Sequence, residues 1–264
     1  MAIFPHKSSL KQQFSDVTGC PLDDSTKWLE KHSWTIETAI DAYLSHKSNS
    51  SAKVRKQDPK VVEIYDRYKD LDDESIIGIE GTLKYIEDLG FDPEDSITLV
   101  LAQFLEAPSM GVFYKDKFVQ IWSRNKINSI SAMKRYIEDD LYVEFRRSKE
   151  YFKKVYDFTF GFLMENPGQK LLPYDLAIDY WKLLLLGRDD LKQTCGVRLE
   201  QWFKFIETEY QRGFSRDTWQ MFLPFVEEII LDDPEKLSKY DEMAAWPSVV
   251  DEYIEYLREN ELLD

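Results

Sequence analysis

Between Ser45 and Pro59 the chain loses nearly all its large apolar groups and turns Ser-rich and basic: Ser45-His46-Lys47-Ser48-Asn49-Ser50-Ser51-Ala52-Lys53-Val54-Arg55-Lys56-Gln57-Asp58-Pro59. A stretch of this kind has nothing to bury and reads as a flexible linker. It constrains the fold more than any other feature, because it divides the 264 residues into two unequal parts that must find separate cores. The shorter part, at roughly 40 residues, sits at the lower limit of independent folding, whereas the longer one has ample length for a substantial core.

In the shorter part Leu10, Phe14 and Val17 have helical spacing, and Thr18-Gly19-Cys20-Pro21 breaks that helix. Trp28 and Leu29 fall on a second short helix ending near His32. Thr35 can cap a third, with Ile36, Ala39, Ile40, Tyr43 and Leu44 as its inner face. Three helices around so small a core suit an interaction module better than an enzyme.

From Lys60 onward the apolar spacing is helical almost throughout. Val61, Ile64, Tyr65 and Tyr68 form one stripe, Leu83, Ile86 and Leu89 a second, and Ile97, Leu101, Phe104 and Leu105 a third. Further helices are expected over Met133–Val143, Tyr151–Met164, Leu176–Leu186, Arg198–Tyr210 and Asp217–Ile230. Strand-like alternation is confined to Ile76-Ile77-Gly78-Ile79. The fold class expected is all-α. Asp70-Leu71-Asp72-Asp73-Glu74-Ser75-Ile76-Ile77-Gly78 has the outline of an EF-hand loop. Counted from Asp70, however, Ser75 replaces the turn glycine and Gly81 stands where a bidentate Glu is required. A helix-loop-helix without calcium is expected here, and a second over Ile97 to Ile121 with its loop near Val112-Phe113-Tyr114-Lys115-Asp116.

Composition excludes several chemistries. His6, His32 and His46 all precede residue 47, so the larger part contains no histidine. A zinc-bound RING needs about eight Cys and His ligands and cannot be assembled. A Ser-His or Cys-His nucleophile pair cannot form there either. Cys195, the only thiol of that part, reads as structural, and neither catalytic residues nor a metal or other cofactor are expected. With Cys20 the chain has two cysteines, too few for a disulfide framework, which favours an intracellular protein. No run approaches the roughly 20 apolar residues of a membrane helix. Met1-Ala2-Ile3-Phe4-Pro5-His6-Lys7 has no apolar core long enough for a signal peptide. A pI near 4.8 disfavours nucleic acid as a partner.

The charge is concentrated rather than spread. From Asp217 onward 14 Asp and Glu face 3 Lys and Arg, against a net charge of −15 for the whole chain. In Tyr240-Asp241-Glu242-Met243-Ala244-Ala245-Trp246-Pro247 a small residue, Ala245, sits among acids just before a proline suited to a helix start. Beyond it Val250, Tyr253, Ile254 and Leu257 make one apolar helix face, leaving Asp251, Glu252 and Glu255 to point elsewhere. An acidic rim around a small apolar floor suits docking of a basic protein surface.

The first part, residues 8–46, resembles a ubiquitin-associated (UBA) domain through Phe14, the Thr18-Gly19 turn, Trp28-Leu29, Trp34 and Ala39-Ile40-Asp41-Ala42-Tyr43. The resemblance implies weak ubiquitin binding through Val17, Thr18, Gly19, Tyr43 and Leu44, although the usual Met-Gly of the first loop is Thr18-Gly19 here. After the linker at 47–58, residues 59–260 carry Arg67-Tyr68-Lys69-Asp70, Ile77-Gly78-Ile79-Glu80-Gly81, Asn166-Pro167-Gly168-Gln169-Lys170, Ala177-Ile178-Asp179-Tyr180-Trp181-Lys182-Leu183, Asp217-Thr218-Trp219 and Ala245-Trp246-Pro247. Together these resemble the defective-in-cullin-neddylation family, whose main domain is the potentiating-neddylation (PONY) domain.

The resemblance implies a scaffold-type co-ligase, without catalytic groups of its own. It would hold the cullin C-terminal region and the conjugating enzyme of the cullin modifier together, alongside the RING subunit. It also implies a cytoplasmic and nuclear location. The cullin-binding acid-alanine-acid patch maps onto Asp217, Ala245 and Asp251. A pocket for the acetylated N-terminal methionine of the conjugating enzyme maps onto Ile79, Thr82, Ile86, Leu101, Ala102, Leu105, Ala107, Phe113, Phe162 and Leu183. The competing expectation is a non-catalytic adaptor that brings ubiquitin conjugates to cullin ligases through the UBA domain.

Overall fold

The computed structural model describes residues 7–32, 34–40, 42–43, 57–166 and 168–263. The expected linker, apart from Gln57 and Asp58, and the candidate Leu44 lie outside these residues. Two compact units divide after Lys56.

The N-terminal unit contains α1 (Lys7–Thr18), α2 (Leu22–Lys31) and α3, the helical residues 36–40 and 42–43. Leu10, Phe14, Cys20, Leu29 and Ala39 are buried at its centre. The Tyr43 ring meets Phe14 and Trp28 edge-on at 5.5 and 5.3 Å, closing α3 over the other two helices. Gly19 ends α1 with φ +66°, where a side chain would be strained. Val17 keeps the helical spacing but not the burial: it is 62% exposed.

The larger unit begins with α4 (Pro59–Asp66), whose first turn is fixed by Pro59 and by Asp58 accepting from the Lys60 N–H. There follow β1 (Ile76–Ile77), α5 (Ile79–Leu89), α6 (Ser96–Phe104), β2 (Phe113–Tyr114) and α7 (Lys115–Asn125). β1 and β2 pair antiparallel, Ile76 opposite Tyr114 and Ile77 opposite Phe113, which joins two helix-loop-helix units back to back. The carboxylates of the first loop serve the loop itself: Asp70 accepts from the N–H groups of Asp72 and Asp73, and Asp73 from that of Ser75. Gly81 lets α5 pass the end of α4, since a Cβ there would lie 1.9 Å from the Tyr68 carbonyl oxygen.

A long helical run comprises α8 (Ile130–Arg135), a π-helical segment (Tyr136–Tyr142) and α9 (Val143–Arg147). After it come α10 (Lys149–Phe162), β3 (Leu171–Leu172), α11 (Tyr174–Leu185) and α12 (Asp189–Phe205), with π-helical Ile206–Tyr210 continuing α12. Last are β4 (Phe214–Ser215), α13 (Arg216–Pro224), π-helical Phe225–Ile230 and α14 (Ser248–Glu259). β3 and β4 also pair antiparallel, so the architecture of the first half recurs in the second. Two-residue strands are too short to leave a period in the sequence, and of the four only β1 lies where alternation is visible. α12 starts at Asp189 rather than near Arg198. Gly196, a poor helix former, is tolerated on the outer face while Leu191, Cys195, Leu199 and Trp202 bury the inner one. Among the described residues no helix is long and apolar enough to cross a membrane.

Two cores result. One gathers Tyr65, Tyr85, Phe118 and Trp122; the other, larger, is built on Tyr156, Trp181, Trp202 and Trp219. In the second the Trp181 indole donates to the Tyr156 hydroxyl at 2.9 Å and that hydroxyl donates to the Trp219 carbonyl at 2.7 Å. The Trp219 indole returns to the Tyr156 carbonyl at 2.9 Å, so α10, α11 and α13 are locked by satisfied polar groups. Phe162 packs against both cores.

Candidate docking pocket and acidic face

Where the two cores meet, a cavity of about 650 Å³ remains open. One wall is α5, whose Ile79, Thr82, Leu83 and Ile86 follow helical spacing from an exposed mouth to a buried floor. Thr98, Leu99 and Ala102 of α6 form the next wall, and the segment from Ala107 to Phe113 a third. Phe162, Leu163 and Met164, with Leu176, Tyr180 and Leu183 of α11, close it from the second core. Small residues make the room. At Gly111, with φ +74°, a Cβ would come within 2.8 Å of Ile79 Cγ1. The Thr82 hydroxyl donates to the Gly111 carbonyl at 3.0 Å, so this polar group is satisfied without a ligand. The lining is apolar except for a few neutral polar groups and two carboxylates, Glu94 and Glu165, both exposed.

All the residues expected around the methionine pocket line this cavity except two. Leu101 and Leu105 are fully buried in the first core and lie outside the lining. They stand four residues apart at the end of α6, on one helix face that packs into the first core. Conversely, Leu176 and Tyr180 belong to the wall but read in the sequence as ordinary core positions of α11. Glu94, also in the lining, carried no apolar signal at all.

The acid-alanine-acid residues lie on separate elements. Asp217 is exposed in the first turn of α13, and Ser215, not Asp217, caps that helix by accepting from the Thr218 N–H at 3.1 Å. Its carboxylate is therefore not consumed by capping. Asp251 stands in the first turn of α14, half-buried, and accepts from the Tyr240 hydroxyl at 2.6 Å. Burial, and then this bond to a carboxylate, push the Tyr240 hydroxyl well above the usual tyrosine range. The contact draws the segment carrying exposed Ala245 onto the start of α14. α13 and α14 share a core through Trp202, which stacks on Phe222 and meets Tyr253 edge-on. No hydrogen bond or ion pair joins Asp217 to Asp251 among the described residues. The regional acidity is partly spent inside the molecule: Glu227 pairs with Arg188, Asp232 with Lys239, Glu242 with Arg258 and Glu252 with Arg212.

Cys195 is buried in the second core, and burial pushes its thiol up to about 11, the reverse of what an activated nucleophile needs. No group of His, Cys, Asp and Glu able to hold a metal ion occurs among the described residues. In the N-terminal unit Val17 and Gly19 are exposed beside each other, whereas Thr18 is buried and its hydroxyl donates to the Phe14 carbonyl. Tyr43 is half-buried against the core, and Leu44 lies outside the described residues.

A family described as "Cullin binding" matches residues 132–256, and one described as "UBA-like domain" matches residues 9–50. A Candida albicans protein named "Defective in cullin neddylation protein 1" is 39% identical over 97% of this chain and 99% of its own length. Proteins of the same name from Yarrowia lipolytica and Saccharomyces cerevisiae are 35% and 28% identical, covering 88% and 95% of this chain and 88% and 93% of their own. At such identity across nearly the full length of both chains, the chain belongs to the defective-in-cullin-neddylation family.

Proposed function

We propose that this protein promotes neddylation of cullins as a scaffold-type co-ligase, holding the cullin C-terminal region and the modifier's conjugating enzyme in one complex. The observation that carries this reading is the match of residues 132–256 to a cullin-binding family, in a chain related end to end to proteins named for defective cullin neddylation. The cullin docks at the face carrying Asp217, Ala245 and Asp251. The apolar cavity takes the acetylated N-terminal methionine of the conjugating enzyme: a methionine side chain gains roughly 1.5–3 kcal/mol on burial, and acetylation removes an ammonium whose unpaired burial would cost several kcal/mol.

The rate gain comes from orientation, which raises the effective concentration of the target lysine near the thioester without new chemistry from this chain. The RING subunit joins through the cullin. The protein works where cullins do, in cytoplasm and nucleus. A second contact, weak binding of ubiquitin by the N-terminal unit, is supported by the exposed Val17 beside the Gly19 turn.

Reconstituted cullin modification, with and without this protein, tests the reading. Stimulation is expected, and it should persist in Cys195→Ser. Equal yields with and without the protein would overturn the proposal.

A further inference from the structure

The cavity between the two cores is apolar in depth, yet its charged lining is of one sign. Glu94 belongs to the turn preceding α6 and Glu165 to the turn following α10, so the two carboxylates come from separate walls. No Lys, Arg or His lines the cavity. Both glutamates are exposed, and among the described residues neither carboxylate has an ion-pair or hydrogen-bond partner. This contrasts with the C-terminal acidic face, where several carboxylates are neutralised by Arg or Lys of the same chain.

We infer that Glu94 and Glu165 are specificity-determining residues that select, at the mouth, a cationic segment directly following the apolar group in the cavity. The inference rests on the pocket reading and deepens it by naming the chemistry of the partner residues next to the buried one. An apolar cavity alone accepts any apolar side chain of suitable size. It discriminates poorly between the many chain ends that begin with methionine. Unpaired carboxylates on separate walls add a condition on the next residues: Lys or Arg there finds a partner, whereas Asp or Glu meets like charge. Because both glutamates are solvent-exposed, each pair is screened and small, up to about a fivefold change in affinity. The two walls act together on one segment, so discrimination between a Lys-bearing and a Glu-bearing peptide is larger than either contribution.

The test uses synthetic peptides with an acetylated N-terminal methionine. In one series Lys occupies the second to fourth positions after it, in the other Glu occupies the same positions. Affinity for the full chain is measured by calorimetry at low and high salt. The Lys series should bind at least tenfold more tightly at low salt, and the difference should shrink at high salt. In Glu94→Gln and Glu165→Gln combined, with an unchanged melting temperature, most of the preference should disappear. Equal binding of both series by the native chain overturns this inference and leaves the pocket reading standing. Failure of both series to bind overturns the pocket reading and the inference with it. A preference that survives unchanged in the double variant assigns selection to other residues and overturns the role of these two.

Discussion

The two proposed docking regions of the larger unit are opposites in physical character. The pocket is concave, walled by residues from both cores, and largely apolar. The acid-alanine-acid face is outward, carried by the first turns of α13 and α14 and the segment before Pro247, and charged. A concave apolar site draws its affinity from area removed from water and loses little of it when salt is added. An outward charged face has little area to bury, so it depends on geometry and Coulombic attraction, and salt weakens it. On the proposed function, one scaffold would hold one partner by shape and the other by charge, and the two contacts would be separable by substitution.

The largest effect should come from Ala245→Arg. Ala245 is exposed, so the substitution leaves the core intact, but it puts a long cationic side chain where the proposed function has a basic partner approach. Cullin binding should fall at least a hundredfold, with the melting temperature and acetyl-peptide affinity unchanged. If cullin affinity measured alongside melting is preserved, the cullin docks elsewhere and charge is not what holds it.

Next in size is the acetyl group. A peptide with an acetylated N-terminal methionine and a neutral sequence after it should bind roughly a hundredfold more tightly than its free-amine form, because the charged amine must be desolvated. The affinity of that neutral acetylated peptide should barely change between low and high salt, whereas cullin affinity should drop. A parallel salt dependence for both ligands would erase the distinction between the two sites.

Much of this geometry is legible in the residues. The break after Ser45 and the helical stripes beyond Lys60 give the all-α class, and eight of the ten residues that the family resemblance assigns to the pocket line the cavity. What stays hidden has physical causes. Leu101 and Leu105 satisfy the same apolar preference as the true lining. Only packing against Trp122 and its neighbours separates a core leucine from a pocket leucine. Leu176 and Tyr180 fail in the other direction, as wall residues that look like core. The recurrence of a paired helix-loop-helix in the second half rests on Leu171–Leu172 and Phe214–Ser215, too short for any periodicity. Asp217 could have been a helix cap by its sequence position, and only the Ser215 hydrogen bond shows that it is not.

That last observation sets up a cleaner substitution. Since Ser215 holds the start of α13, Asp217→Asn should leave thermal stability within about 0.5 kcal/mol, as for a surface change away from structural features. If Asp217 makes a charge-assisted contact with the cullin, affinity should fall by about 1.5–3 kcal/mol, roughly tenfold to a hundredfold. Unchanged cullin affinity would reduce the acidic face to Ala245 and Asp251.

The smallest expected effect probes how the face is held. Tyr240 and Asp251 are joined by one hydrogen bond of 2.6 Å, and the Tyr240 ring packs on the second core, so Tyr240→Phe removes the hydroxyl while keeping the packing. A bond to a carboxylate contributes more than a neutral one, but this pair is only partly buried and screened, leaving about 1 kcal/mol. For a unit of this size that corresponds to a melting-temperature drop of about 2–4 °C. Cullin affinity should fall by a similar free energy, about fivefold, since Asp251 loses the contact that fixes its rotamer. The pH dependence has a definite sign. The Tyr240 hydroxyl is held above its ordinary value in the folded state, so folding favours the protonated form. The stabilisation is then complete below the unfolded tyrosine value of about 10 and is lost as pH rises through the folded value. Melting curves of the native protein and Tyr240→Phe should therefore differ at pH 7 and converge in alkali. A constant difference above pH 10, or none at pH 7, would show that Tyr240 does not hold Asp251 in place.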